Sequence, residues 1–358
     1  MKQVNLLTDS PRRLFFHYLG PTIGSSMVTS IYILADTIMV GQGVGDAGLA
    51  ALTIFMPIVA SFFALGLLLG VGGGVLMSVA KGSGNESLAH KYFSTAMISA
   101  AVVSVCFAVF GAIFFDPMMY ALGADTTNIE LVRGYGLCYT VSAPLFIFSS
   151  SLQSFIRNDK SPRHAMIAVL TGSGLNILLD YLFIFVFKMG MFGASFATSI
   201  GTSITVCILI IHFFTKKNTM RFSFRFFSIK ALWEIAKCGF SSFLIECANA
   251  VLVFVFNHTL LKYIGSVGVT VYSIMSNVAV VCMSLFNGVT LAAQPIIATN
   301  HGADNHKRVL QVRHIGTITS SVIAVIIFCV GFFFPDLLIY SYVKGPTPEI
   351  LELARYAL

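Results

Sequence analysis

Charge is what this sequence has least of. Only 10% of its 358 residues are charged, against about 25% in a soluble domain. Hydrophobic residues make up 56% and the mean hydropathy is +0.86. A water-facing surface cannot be built from that composition, so soluble enzyme folds are excluded. Segments of ~10 residues alternating apolar and polar, the mark of membrane β-strands, are also missing. The seven cysteines are scattered through apolar stretches with no CxxC spacing. They are expected to pack as small apolar side chains. No small-residue cleavage site follows the first apolar run, so Lys2, Arg12 and Arg13 do not open a cleaved signal peptide. Cations are scarce inside the runs. Lys188, Lys237 and Lys262 stand near run ends, where they can reach the interface. His258 is the one interior candidate and is expected to be hydrogen-bonded.

What is present is apolar sequence in pieces of membrane-spanning length. A helix needs ~20 mostly apolar residues to cross ~30 Å of hydrocarbon. Such runs fall near 14–40, 49–80, 91–115, 127–156, 164–187, 192–214, 231–262, 268–300 and 308–342, and a tenth begins near Thr347. The fold class expected is an all-α, polytopic membrane protein. Basic residues gather in alternate loops: Lys81 and Lys91; Arg157, Lys160 and Arg163; Lys216 to Lys237; Lys307, Arg308 and Arg313. Arg133, Lys188, Lys262, Lys344 and Arg355 fall on the other side. By the positive-inside rule the N-terminus and the even-numbered loops are cytoplasmic, in the inner or plasma membrane. The net charge of +7 is then a topology signal rather than a nucleic-acid footprint.

The chain also repeats itself. A shift of 220 residues aligns Gly45 with Gly265, Gly48 with Gly268, Ile54 with Ile274, Lys81–Asn85 with His301–Asn305, and Gly111, Phe114 and Tyr120 with Gly331, Phe334 and Tyr340. Six spans per repeat return the chain to the same side, so the repeats are parallel. The division expected is an N-lobe over 1–214, a basic linker over 215–230 and a C-lobe over 231–358. The C-lobe is truncated, with three spans and the start of a fourth. Gly66, Gly70, Gly74, Ser78 and Gly82, four residues apart, make a smooth ridge for close helix packing.

Of fifteen acids, only Asp36, Asp180 and Glu246 lie well inside the spans; Asp116, Asp336 and Glu234 sit near span ends. A carboxyl at mid-depth marks an ion or proton pathway unless it only holds helices together. Tyr32 lies one helical turn before Asp36, and Asn176 one turn before Asp180, so each pair shares a face. Such oxygen-rich surroundings suit a proton or a hard cation. Pro21, Pro57, Pro144 and Pro295 interrupt their runs, and a bend at Pro21 could link the state of Asp36 to a change of shape.

At these residues the sequence resembles the multidrug and toxic compound extrusion (MATE) family of cation-coupled exporters. The resemblance rests on "ADTIMVG" with Tyr32 and Pro21, "LNILLDYLFIF", "GMFGASFAT" and "AAQPIIATNHGA". It implies two six-helix lobes around a central cleft that alternate between outward- and inward-facing states. It also implies an N-lobe cation site at Asp36, Asn176, Asp180 and Thr198, with Tyr32 beside it, able to take H⁺ or Na⁺. Glu246 would occupy a C-lobe substrate or cation position. The activity implied is antiport of amphipathic organic cations, held by aromatic and Met side chains, against H⁺ or Na⁺. No cofactor is expected, nor a nucleic-acid partner; the partners are small molecules and the bilayer, and a monomer is expected. A lipid-linked saccharide flippase is the nearest alternative, disfavoured because the interior ionisable groups read as acids. An intramembrane aspartyl protease would use the GxGD pattern Gly43–Asp46, and a channel would need a ring of polar groups.

Overall fold

The computed structural model describes residues 4–263, 266–336 and 348–357, without the side chains of some residues in and after the 250s and near 348. Lys2, Gly265, Tyr340 and Lys344, and the side chains of His258, Lys262, Gly268 and Ile274, lie outside that description. Among the described residues every regular element is a helix. A backbone in lipid must satisfy its polar groups within its own segment. The helices are α1 (Pro11–Gly43), α2 (Asp46–Gly82), α3 (Glu86–Ile113), α4 (Phe115–Ala121), α5 (Ile129–Val141), α6 (Ala143–Asn158), α7 (Pro162–Asp180), α8 (Gly190–Ile211), α9 (Ile229–Tyr263), α10 (Ser266–Gly302), α11 (His306–Phe333) and α12 (Pro348–Ala357).

Among the described residues seven helices are long and apolar enough to cross a membrane. An eighth crossing is the pair α5–α6, bent by 52°. Residues 231–262 form one helix, α9, which stands outside that count. Of the four prolines, only Pro144 stands at a helix break, in the first turn of α6 after Ser142. Pro21, Pro57 and Pro295 lie within continuous helices. Hydroxyls stand beside two of them. Thr22 Oγ1 donates to Tyr18 O at 2.9 Å, and Ser61 Oγ to Pro57 O at 2.8 Å. Such side chains let a membrane helix carry proline without breaking.

The repeat is visible in the backbone. Both ends of α10 lie 220 residues after those of α2, and both ends of α11 lie 220 after those of α3. The turns match too. Asn85 caps α3 by accepting from Leu88 N at 3.0 Å, and Asn305 caps α11 by accepting from Arg308 N at 3.4 Å. The residue before each cap, Gly84 (φ 75°) or Asp304 (φ 55°), is left-handed, which Gly and Asp tolerate. An ion pair recurs nearby, though not fully in register: Asp336 lies 220 residues after Asp116, while its partner Arg355 lies 222 after Arg133.

The small-residue ridge does its expected work. A Cβ on Gly70 would stand 2.7 Å from Ser151 Cα, and one on Gly66 2.7 Å from Ser150 Cβ, so α6 lies directly on α2. The main core is built from α2, α3 and α5–α8, with Phe55, Phe62, Phe93, Phe155 and Tyr139 inside it. A second core joins the start of α1 to α10 and α11 through Phe15, Tyr18, Val289, Ala292, Ile296 and Val312. Large apolar side chains such as Phe110 and Ile113 remain on the outside, as a lipid-facing surface requires.

Close approaches between the two repeats lie at the end that carries the basic loops. Gly82 backs onto Thr299 O and Gly302 onto Val79 O, a reciprocal contact between residues 220 apart. Gly239 meets the backbone of Leu68, and Gly288 that of Ile23, while Thr22 Oγ1 donates to Gly288 O at 2.7 Å. None of these pairs tolerates a Cβ without a shift.

Candidate functional site

α7 and α8 meet through two glycines. A Cβ on Gly201 would come within 2.7 Å of Gly172 O and 2.9 Å of Asn176 Cβ. That approach puts Asn176 against α8, where its Nδ2 donates to Thr198 Oγ1 at 3.2 Å. Thr198 in turn donates to Ala194 O at 3.0 Å, which fixes its rotamer. One turn on, Asp180 closes α7 and the chain continues as a π-helical turn, Tyr181–Val186. Such turns recur at functional sites because they re-aim side chains within a helix. From α1, Asp36 comes in so that the two carboxyls lie side by side, close enough to share a proton. Both are buried, Asp180 fully.

Asp36 Oδ1, both oxygens of Asp180 and Asn176 Oδ1 make no well-formed hydrogen bond, although the Asn176 amide lies near the Asp180 carboxyl. Four buried oxygens on α1 and α7 without a hydrogen-bond partner are chemically able to ligate a proton or a hard cation. Two carboxylates in contact cannot both remain bare anions in a low-dielectric interior; a proton or a metal cation must lie between them. Oxygen donors of this kind fit H⁺ and Na⁺ alike. Among the described residues no group of three His, Cys, Asp or Glu side chains forms a further metal cluster.

The acids stand behind a cavity of ≈ 400 Å³ between the repeats. Tyr32, Asn176 and Thr198 line it and separate it from Asp36 and Asp180. Glu246, on α9, lines the opposite wall. Five of the six sequence-predicted binding residues therefore come together, and Glu246 faces them across the cavity. Pro21 is not at the site. It lies on α1 about 20 Å from Asp36 along the helix, next to the Thr22–Gly288 contact between the repeats.

One description matches this arrangement over most of the chain: MatE, over residues 21–182 and 238–358. The chain belongs to the MatE family. Among similar proteins, the Multidrug export protein MepA of Staphylococcus haemolyticus is 26% identical over 348 residues, spanning 97% of this chain and 76% of that protein. MepA of Staphylococcus saprophyticus is 28% identical over 292 residues, spanning 80% of this chain and 64% of that protein. The fold is that of solved MATE structures. One in complex with MaD3S superposes with a TM-score of 0.92 at 23% identity, over 100% of this chain and 80% of that one. A MOP-superfamily transporter from Pyrococcus furiosus, described as having a binding pocket of reverse polarity, gives 0.90 at 23% identity over the same shares.

Two expectations need correction. Arg157, read as a loop cation, is in the last turn of α6, is 6% exposed and lines the cavity. The interior charges of this MatE chain are thus not all acids. α6 runs about two residues further than hydropathy suggested, and that carries Arg157 inside. The expected wall of aromatic and Met side chains is also thin: Tyr32, Phe63 and Phe146 line the cavity, and no methionine does. Met77, Met97 and Met119 are in the core instead. About half of the lining residues are Ser, Thr, Asn and Gln, while most of the lining surface is apolar.

The sequence reading also missed a buried network on the basic side. Asp159 accepts from Lys81 Nζ at 2.6 Å, His212 Nε2 at 2.8 Å and Thr219 N at 3.0 Å, and also from Thr219 Oγ1. Burial pushes the Asp159 carboxyl up. The bond from His212 and the charge and bond of Lys81 outweigh that and hold it below the usual carboxylate range. No local motif announces this site, because its members come from α2, the α6–α7 turn, the end of α8 and the linker. Asp46, the acid of the GxGD pattern, is exposed at the start of α2 and takes no part in the Asp36–Asp180 pair.

Proposed function

We propose that this protein is a multidrug efflux antiporter that exports amphipathic organic cations in exchange for H⁺ or Na⁺. The observation that carries this reading is the buried Asp36–Asp180 pair, with four oxygens lacking a well-formed hydrogen bond, set just behind the wall of the cavity between the repeats. The family membership and the likeness to proteins named for multidrug export support the same reading.

The mechanism follows from the geometry. A proton or sodium ion entering from outside neutralises the carboxyl pair. Its arrival changes what Asp36 asks of α1, and α1 is continuous from that carboxyl to the repeat-to-repeat contact at Thr22 and Ile23. The pair and the contact between the lobes are therefore linked by one rigid element, with Pro21 as its weakest point because the backbone bond there is missing. Release of substrate outward and closure of the cavity are the two ends of that linkage. The repeats touch at the end bearing the basic loops. With those loops in the cytoplasm, the structure corresponds to an outward-facing state.

The test is ethidium efflux from energised vesicles. Asp36→Asn and Asp180→Asn are each expected to abolish gradient-driven efflux while leaving the protein monodisperse in detergent. Undiminished efflux from both variants refutes the coupling role. Sodium-jump and proton-jump experiments on the same vesicles distinguish the two ions.

A further inference from the structure

The cavity between the repeats holds a charge that cation export does not use. Arg157 is 6% exposed and lines the cavity. A guanidinium carries five N–H donors. Here Nη2 donates to Ser154 Oγ at 3.0 Å, one turn back on the same helix, and Nε has no acceptor. No carboxylate pairs with it among the described residues. The nearest acid in sequence, Asp159, is already taken by Lys81 and His212.

Other long cations of this chain are provided for. Arg133 is held by Asp116 and Glu130, and Arg308 by Asn300 Oδ1 and two backbone carbonyls. An unpaired buried charge is costly, and packing alone gives no reason to keep one. The neighbours of Arg157 suggest what offsets the cost. Gln153, also on α6, and Gln294, on α10, line the same cavity, and Gln294 Oε1 lacks a donor. Glu246 lines it from α9, and no ion pair joins it to Arg157. One cavity of drug-sized volume thus offers one positive and one negative side chain that do not neutralise each other.

We propose that Arg157 is the anion-binding subsite of this cavity. The substrate it fits is an amphiphile carrying both an oxyanion, a carboxylate or phosphate gripped by the guanidinium fork, and a cationic group turned toward Glu246. The planar fork suits such oxyanions because two parallel N–H donors meet two oxygens. This rests on the reading of the cavity as the substrate cavity. It deepens that reading by assigning the anionic group of such a substrate to one residue.

The test is equilibrium binding to the purified protein in detergent, read by fluorescence polarisation, with two dyes that differ at one group. Rhodamine 110 has a free carboxylate beside its cationic ring system; rhodamine 123 is its methyl ester. The wild type is expected to bind the acid about tenfold more tightly than the ester, the scale of one charge-assisted contact. Arg157→Gln removes that preference by weakening the acid and not the ester, and the retained ester binding also reports that the cavity is intact. Arg157→Lys keeps the charge but not the fork, and retains part of the preference. The proposal is overturned if the wild type binds the acid no better than the ester. It is also overturned if Arg157→Gln and Arg157→Lys weaken both dyes alike, or change neither. Dioleoyl phosphatidic acid as competitor identifies the source of the oxyanion. Displacement of rhodamine 110 from the wild type points to a lipid phosphate; retention, with the acid still preferred, points to a free carboxylate amphiphile. No ion gradient enters the measurement, so failed coupling in vesicles and a failed anion subsite give different results.

Discussion

Asp36 and Asp180 are 144 positions apart in sequence and side by side in space, and the reason is a set of small contacts around them. Asn176 reaches Thr198 only because Gly172 and Gly201 let α7 and α8 touch. Thr198 Oγ1 accepts from the Asn176 amide, and so holds Asn176 beside the carboxyls. Thr198→Val removes that acceptor without changing the shape. Loss of one such bond is worth about 1 kcal/mol, so the concentration of coupling ion giving half-maximal efflux should rise roughly fivefold. A vesicle titration with H⁺ or Na⁺ measures it. Asp159 is the other residue on which much depends. Asp159→Asn removes the charge paired with Lys81 and turns one of two accepting oxygens into an NH2 donor facing other donors, which should cost about 3 kcal/mol, seen as a lower Tm in detergent. The sign of its pH dependence follows from its lowered value in the fold. The stability it contributes is fully present above the unfolded carboxylate value of about 4. It is lost as pH falls through the lower, folded value. The wild type should therefore lose Tm on acidification below that window, and Asp159→Asn should lose less.

At the scale of elements, glycine decides where helices meet. Gly82 and Gly302 each face a carbonyl of the opposite repeat, so neither helix can approach as it does with a side chain there. Gly82→Val should push α2 from α10 and open the cavity toward the basic loops. Spin labels at Glu86→Cys and His306→Cys, on a background lacking native cysteine, should report a longer distance in this variant than in its parent. The ridge Gly66–Gly82 was legible as a packing surface from its spacing of four. Its partners were not, since a smooth ridge accepts any helix. The structure gives α6 to Gly66 and Gly70, and α10 to Gly82. Helix existence was legible for the same physical reason: a run of ~20 apolar residues has one way to satisfy its backbone in lipid. The break at Ser142 was legible through Pro144; the π-helical turn after Asp180 was not, because no residue of Tyr181–Val186 marks it in the sequence. Prolines that looked alike in sequence divided in the fold, Pro144 at a bend and Pro21, Pro57 and Pro295 within helices.

At the scale of the whole molecule, two parallel repeats are held together at one end and enclose a cavity. The charge pattern is the basis for proposing that this end is cytoplasmic. A cysteine at Ser83, in the α2–α3 turn, should then react with a membrane-impermeant maleimide only in inside-out vesicles. A cysteine at Leu122, after α4, should react only in right-side-out ones. The reverse pattern would invert the orientation and with it the direction of transport.

The sequence by itself determined what depends on local chemistry and on period: a membrane solvent from scarce charge, helices from run length, a parallel repeat from the 220-residue shift, and candidate acids from their position within apolar runs. Burial of Asp36 and Asp180 could be foreseen because a carboxyl in such a run has nowhere else to go. Tertiary structure alone decided which distant residues meet. It set Asp36 against Asp180, gathered Lys81, Asp159, His212 and Thr219 into one network, and turned Arg157 from an expected loop cation into a lining residue of the cavity. The physical reason is common to all three. Their partners lie on different helices, and the angles and separations of helices come from side-chain packing across the whole bundle, which no single stretch of sequence contains.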